Sequence, residues 1–229
     1  MYRGGSPSGN EYCVTLLEMA RHCLIAALAM VLFVWLAREV TRGDAMRLDT
    51  PIRNAVHARS SPLLTGMMRG VSLVGSEVAL VPLGVMLVWW LVAAGRRRAA
   101  VVFGVAVLGA EALDQVMKLL FNRPRPEPFF GLASPVTHSF PSGHAMVSCC
   151  FFGVLAAILA ARGAPWAWSR LRRIAIFAAA ALLVGLMGFS RVYLGFHYPT
   201  DVLAGYAAAV VWLAAVRAVD LVLTKRSST

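Results

Sequence analysis

Charge is what this sequence has least of. Only 14% of its 229 residues are Asp, Glu, Lys or Arg, against 59% that are hydrophobic, and the mean hydropathy is +0.69. A soluble domain of this length needs far more polar surface, so the composition excludes one and points to a polytopic membrane protein. Acid is scarcer than base: 11 Asp and Glu stand against 22 Lys and Arg, a net charge of +11. In a soluble chain that surplus would suggest nucleic acid. Here the basic residues lie mostly between apolar runs, where they suit anionic headgroups and topology signals, so no nucleic-acid partner is expected. Cysteine is limited to Cys13, Cys23, Cys149 and Cys150. Their spacing gives neither a disulfide framework nor a metal motif, and all four read as small buried hydrophobes. A cleavable signal peptide is missing too, because no small-residue cleavage site follows the first apolar run. Without internal repeats or low-complexity tracts, residues 1–229 read as one domain.

What is present is hydrocarbon in long runs. A spanning helix needs roughly 20 apolar residues. Six segments qualify or nearly so: 20–38, 71–94, 99–121, 144–162, 174–190 and 200–223, the fifth being the shortest. The expected fold is therefore all-α, a bundle of six transmembrane helices. "GRRR" (95–98), "RGAPWAWSRLRR" (162–173) and "TKRSST" at the chain end are basic and read as cytoplasmic, which places both termini inside. The loops 122–143 and 191–199 then share the outer side. Residues 38–70 break the charge pattern with six arginines, partly offset by Glu39, Asp44 and Asp49. Their apolar residues, interrupted by Pro51 and Pro62, predict short helices in the membrane interface. The segment is either a solvated connector or an element through which lipid enters.

Three polar clusters fall on the predicted outer side. "KLLFNRPRP" (118–126) ends the third segment, and Glu111, Asp114 and Lys118 share a helix face there. Intramembrane carboxylates are costly and usually paired, so Asp114 is expected to pair with Lys118 or a nearby arginine and to support the site. In "SFPSGH" (139–144), Pro141 cannot continue a helix, Ser142 can cap one, and Gly143 allows close backbone approach. A helix start there presents free N–H groups to an anion, with the titratable His144 beside it. In "SRVYLGFHYPTD" (190–201), Asp201 lies four residues after His197 and, if it opens a helix, can reach back to the imidazole. Each cluster alone has a plainer explanation: a snorkelling lysine, ordinary capping, a structural His–Asp contact. Together they supply fixed positive charge, donors, a nucleophile and an acid, the requirements of phosphoryl transfer. Three cations aimed at one pocket would repel a divalent ion, so no metal is expected.

The motifs carry a family resemblance. Lys118, Arg125 and Pro126 match Lys-x6-Arg-Pro; residues 141–144 match Pro-Ser-Gly-His; Ser190, Arg191, His197 and Asp201 match Ser-Arg-x5-His-x3-Asp. The chain resembles the type 2 phosphatidic acid phosphatase superfamily of membrane lipid phosphatases, most specifically over 118–201, with a motif-bearing core over 99–223. The resemblance implies that His197 attacks phosphorus and carries a phosphohistidine, with Asp201 orienting it. It implies that His144 protonates the leaving oxygen and then activates water. Lys118, Arg125, Ser142, Gly143 and Arg191 would hold the phosphoryl oxygens. It further implies that no metal or other cofactor takes part. Arg123 fits the spacing less well and reads as a neighbour; His138 reads as a loop histidine.

The expected activity is hydrolysis of an undecaprenyl-type diphosphate, phosphatidic acid or phosphatidylglycerophosphate at the outer face of a cytoplasmic membrane. The same intermediate could instead pass its phosphoryl group to another acceptor, making a phosphotransferase. A non-catalytic lipid transporter is the alternative of another class, but it has no need of His144, His197 and Asp201 together. The sequence is silent on oligomeric state: "GYAAAV" (205–210) suits packing within one chain or between two.

Overall fold

The structure is a computed structural model that describes residues 9–161 and 169–226. Among these residues the chain forms eight helices and no strand. They are α1 (Gly9–Arg42), α2 (Met46–His57), α3 (Pro62–Val74), α4 (Glu77–Ala93), α5 (Arg97–Phe121), α6 (Gly143–Leu159), α7 (Arg170–Tyr193) and α8 (Pro199–Arg226). Most of the basic loop expected at 162–173 lies outside the described residues.

Each of the six apolar segments falls on helix, with three differences of extent. The second expected segment, 71–94, straddles a break: α3 ends at Val74, α4 starts at Glu77, and the two are bent by 42°. Gly75 and the extended Ser76 interrupt the helix inside an otherwise continuous apolar run. The segment expected at 174–190 is longer than its hydropathy, running from Arg170 to Tyr193, because Ser169 caps the basic first turn through Arg172 N–H. The fourth is α6, with 17 residues. By length and composition four helices can cross a bilayer, at Cys23–Arg42, Arg97–Phe121, Arg170–Tyr193 and Pro199–Thr224, or five if the bent α3–α4 pair counts as one span.

The short α6 is the core of the bundle. A helix that is apolar all round is a buried one, and α6 is enclosed by α5, α7 and α8, burying Ala145, Met146, Cys150, Phe151, Val154, Ala156 and Ile158. Cys150 is buried and Cys149 half-buried, whereas Cys23 is exposed on α1, against expectation. Leu24, Ile25 and Leu28 beside it are exposed as well. Cys13 lies outside the residues whose side chains are described.

The small-residue stretch 205–210 packs within the chain. A Cβ at Gly205 would stand 2.6 Å from the Ser142 carbonyl oxygen and 3.1 Å from Ala145 Cβ. Ala207 and Ala209 are buried as well. This close approach holds the start of α8 against the start of α6. Alanine at a helical glycine normally adds about 1 kcal/mol of stability, but overlap with a backbone carbonyl costs about 1–3 kcal/mol. Gly205→Ala is therefore expected to melt below the wild type in detergent; a higher melting temperature would mean that the two helices have room to spare.

α2 and α3 are the short helices expected within 38–70. Met46, Leu48, Ile52, Leu63 and Met67 on them are exposed. The loops 122–142 and 194–198 meet at one end of the bundle, where Phe129 N–H donates to the Leu194 carbonyl at 3.0 Å. At the other end Arg98 pairs with Asp220 at 2.7 Å.

Candidate active site

The site forms where α6 and α8 begin and α5 and α7 end. Val192, Ala145 and Val202 form one buried apolar cluster that clamps those ends together. Phe140 is buried against Leu36 and Ala204, fixing the chain just before α6. Motifs far apart in sequence are thus brought to one place by apolar packing around them.

His197 lies at the centre and is fully buried. Its Nε2 is 3.0 Å from Arg125 Nη1. Guanidinium can only donate, so Nε2 accepts and the ring proton sits on Nδ1. Nδ1–H donates to the Ser139 carbonyl at 2.9 Å, while Asp201 Oδ2 is farther, at 3.5 Å. The expected direct His197–Asp201 hydrogen bond is therefore replaced by a shared partner. Ser139 Oγ donates to Asp201 Oδ2 at 2.5 Å while its carbonyl holds the ring. Sequence reasoning passed over Ser139, since a main-chain acceptor leaves no trace in residue type. Burial, and next the charges of Arg125, Arg191 and Lys118, push the His197 pKa well below its ordinary value. The imidazole is therefore neutral with its Nε2 lone pair facing the cations.

Arg125 is the cation in contact with this nitrogen, with Arg191 and Lys118 acting on the ring through their charge. Arg125 is held in place by Thr137, donating from Nε to its carbonyl at 2.6 Å and from Nη2 to its hydroxyl at 2.8 Å. Burial lowers its pKa, opposed by the carboxylates of Asp201 and Asp114. Arg191 donates to Ser72 Oγ at 2.6 Å and lies over the Phe196 ring at 4.2 Å. Lys118 pairs with Asp114 at 2.5 Å, as the helix spacing predicts. Glu111, on the same face, instead accepts from Gln115 at 2.6 Å. His144 feels the positive charges of Arg191, Lys118 and Arg125, the same three cations that act on His197.

Three buried polar atoms in this region have no protein partner: Ser142 Oγ, Arg191 Nε and Asp114 Oδ1. Ser142 occupies the N-cap position of α6, but its side chain makes no capping hydrogen bond. Buried polar groups are nearly always hydrogen-bonded, so an orphan hydroxyl and an orphan guanidinium N–H are donors in want of an acceptor. At Gly143 a Cβ would stand 2.7 Å from Asp114 Oδ2 and 3.0 Å from Lys118 Nζ, so any larger residue there would displace the ion pair. Among the described residues no three His, Cys, Asp or Glu side chains gather as metal ligands.

Arg123, read from the sequence as a bystander, is buried and engaged on both amino groups. Nη1 donates to Asp201 Oδ1 at 2.5 Å and Thr200 Oγ1 at 2.9 Å, and Nη2 donates to Asp49 Oδ2 at 2.7 Å. Its guanidinium is thus turned to the two buried carboxylates, Asp49 and Asp201. His138 lies in the loop before α6.

Comparison with known proteins shows what the chain is similar to. The chain is 30% identical to phosphatidylglycerophosphatase B of Bacillus subtilis, over 82% of this chain and 91% of that one. It is 28% identical to an undecaprenyl-diphosphatase of Sulfolobus acidocaldarius, over 62% of this chain and 64% of that one. A crystal structure of a transmembrane PAP2-type phosphatidylglycerolphosphate phosphatase from Bacillus subtilis superposes with a TM-score of 0.77 at 27% identity, covering 85% of this chain and 95% of that one. The sequence profile of the PAP2 superfamily matches residues 99–223, from the start of α5 almost to the end of α8, and with these motifs and this fold the chain belongs to the PAP2 superfamily.

Proposed function

We propose that this PAP2 phosphatase hydrolyses a lipid phosphate or diphosphate without a metal ion, through a phosphohistidine on His197. The observation that carries the proposal is the pair of orphan donors, Ser142 Oγ and Arg191 Nε, beside Arg125 and Lys118 around an unprotonated Nε2. A phosphoryl group entering there would draw Arg125 off the imidazole and onto its own oxygens. Nε2 then bonds to phosphorus as the bond to the leaving oxygen breaks, and His144, which takes up a proton once the bound phosphate's negative charge offsets the surrounding cations, gives that oxygen the proton. In the second step His144 takes a proton from water, whose oxygen bonds to phosphorus as the P–N bond breaks. Lys118, Arg125, Ser142, Gly143 and Arg191 hold the equatorial oxygens in both steps, the largest contribution in such chemistry. Asp114 holds Lys118 in place, and Asp201, with Ser139, orients the ring. The cations do the work a divalent ion would do, and they would repel one.

The substrates named for the relatives, phosphatidylglycerophosphate and undecaprenyl diphosphate, share a phosphate at the end of a membrane-bound lipid, as does phosphatidic acid. In this reading the chain works from a cytoplasmic membrane that it crosses six times, the 17-residue α4 and α6 each serving as a span, both termini inside, with the site at the outer face and α2 and α3 lying in the interface beside it. Purified protein should release phosphate from at least one of these three lipids in excess EDTA. Phosphate release that EDTA abolishes and zinc or magnesium restores would sink the metal-free reading. Transfer of the phosphoryl group to an added alcohol, with no free phosphate, would make the enzyme a phosphotransferase instead.

A further inference from the structure

α2 buries a single residue within its span, and that residue is an acid. Asp49 is fully buried, while Met46, Leu48 and Ile52 on the same helix are exposed. A carboxylate survives burial only where its oxygens are well supplied with donors. Asp49 has three: Oδ1 accepts from Thr200 N–H at 2.9 Å, and Oδ2 accepts from Thr200 Oγ1 and from Arg123 Nη2, both at 2.7 Å. Thr200 is the second residue of α8. A distant helix thus supplies the acceptor that an N-cap side chain would supply locally, and a negative charge at the positive end of the dipole.

The contact continues inward. Arg123 passes from Asp49 to Asp201, Asp201 receives Ser139 Oγ, and the Ser139 carbonyl holds His197 Nδ1. Every member of this chain is buried. Both Asp49 oxygens meet only donors, so an amide in its place would turn an NH2 group towards Thr200 or Arg123. We infer that Asp49 is a positioning residue for phosphoryl transfer: through Arg123 and the first turn of α8 it sets where Asp201, and hence His197, stands. The inference rests on the reading of His197 as nucleophile. The contrary view is that Asp49 only anchors α2 to the bundle.

A double-mutant cycle on the detergent-solubilised full chain separates the two, with dioleoyl phosphatidic acid in mixed micelles as substrate. Asp49→Asn should lower kcat about 10–100-fold with KM within about twofold, as loss of an orienting partner does. In an Asp201→Asn background the same change should cost less than about twofold more, because the path is already cut. Full multiplication of the two losses would show an anchoring role and overturn the inference. An arm without turnover uses the 15N histidine spectrum, the His197 signal being identified by its disappearance in His197→Ala. Asp49→Asn should shift that signal or split it between tautomers; an unchanged signal overturns the inference. If the wild type releases no phosphate from this lipid, the failure belongs to the choice of substrate or to the phosphatase reading, and the spectrum still decides the role of Asp49.

Discussion

His197→Ala is expected to lower phosphate release by about 10⁴-fold or more, with KM changed little, because the substitution removes the atom that bonds to phosphorus and leaves the oxygen-binding groups in place. What remains is direct attack by water in a pocket still lined by Lys118, Arg125 and Arg191, and such stabilisation alone preserves a measurable residue of catalysis over the reaction in solution. The loss should not depend on the leaving group. His144→Ala should behave differently, since its first task is to protonate the departing oxygen. With p-nitrophenyl phosphate, whose leaving group needs no proton, His144→Ala should lose far less in the first step than with a lipid alcohol, while His197→Ala loses as much on both. Trapping labelled protein with acid-labile, base-stable phosphate would identify the intermediate directly. Wild-type rates in His197→Ala would remove the imidazole from the mechanism altogether. Neutrality at Nε2 is built in: burial and three nearby cations keep His197 unprotonated, so no deprotonation precedes attack.

How much of this was legible without coordinates differs from residue to residue. Lys118, Arg125, His144, Arg191 and His197 were legible because cations and imidazoles at the ends of apolar runs are expensive to keep and rarely accidental. The Asp114–Lys118 pair followed from helix spacing alone. The interruption left a short trace, Gly75-Ser76-Glu77, but three residues inside a long apolar window are averaged away by hydropathy, and only backbone geometry marks the bend. Ser142 stands where a cap would stand; that its hydroxyl is left unpartnered depends on what surrounds it in space. Asp49 was taken as a counter-charge in an arginine-rich stretch. A signal was available, since it is the only acid between Asp44 and Glu77 and shares a helix stripe with the partly buried Val56. That stripe says which face turns inward but not that Thr200 and Arg123 wait there, 151 and 74 residues away in the chain.

The largest stability effect is expected at Arg123, the arginine held between Asp49 and Asp201. Arg123→Ala should destabilise the protein by about 3–5 kcal/mol, the usual consequence of removing one partner from a buried ion pair. Two carboxylates, Asp49 and Asp201, are fully buried and both depend on this guanidinium, through separate amino groups. Its loss also removes the cation over the Tyr198 ring, 4.2 Å away, and a donor to Thr200. Arg123→Lys keeps the charge but not the fork, and one ammonium cannot reach both acids with the same geometry, so it should recover only part of the stability. Arg123→Met combined with Asp49→Asn should be more stable than Arg123→Ala, because it removes one of the two stranded charges and refills the space. Thermal or denaturant unfolding in detergent measures all three variants. An Arg123→Ala protein within about 1 kcal/mol of the wild type would mean that water or another donor serves Asp49 and Asp201 equally well. Asp201 would then owe its position to Ser139 and the Tyr198 N–H alone, and α2 would have no hold on the nucleophile.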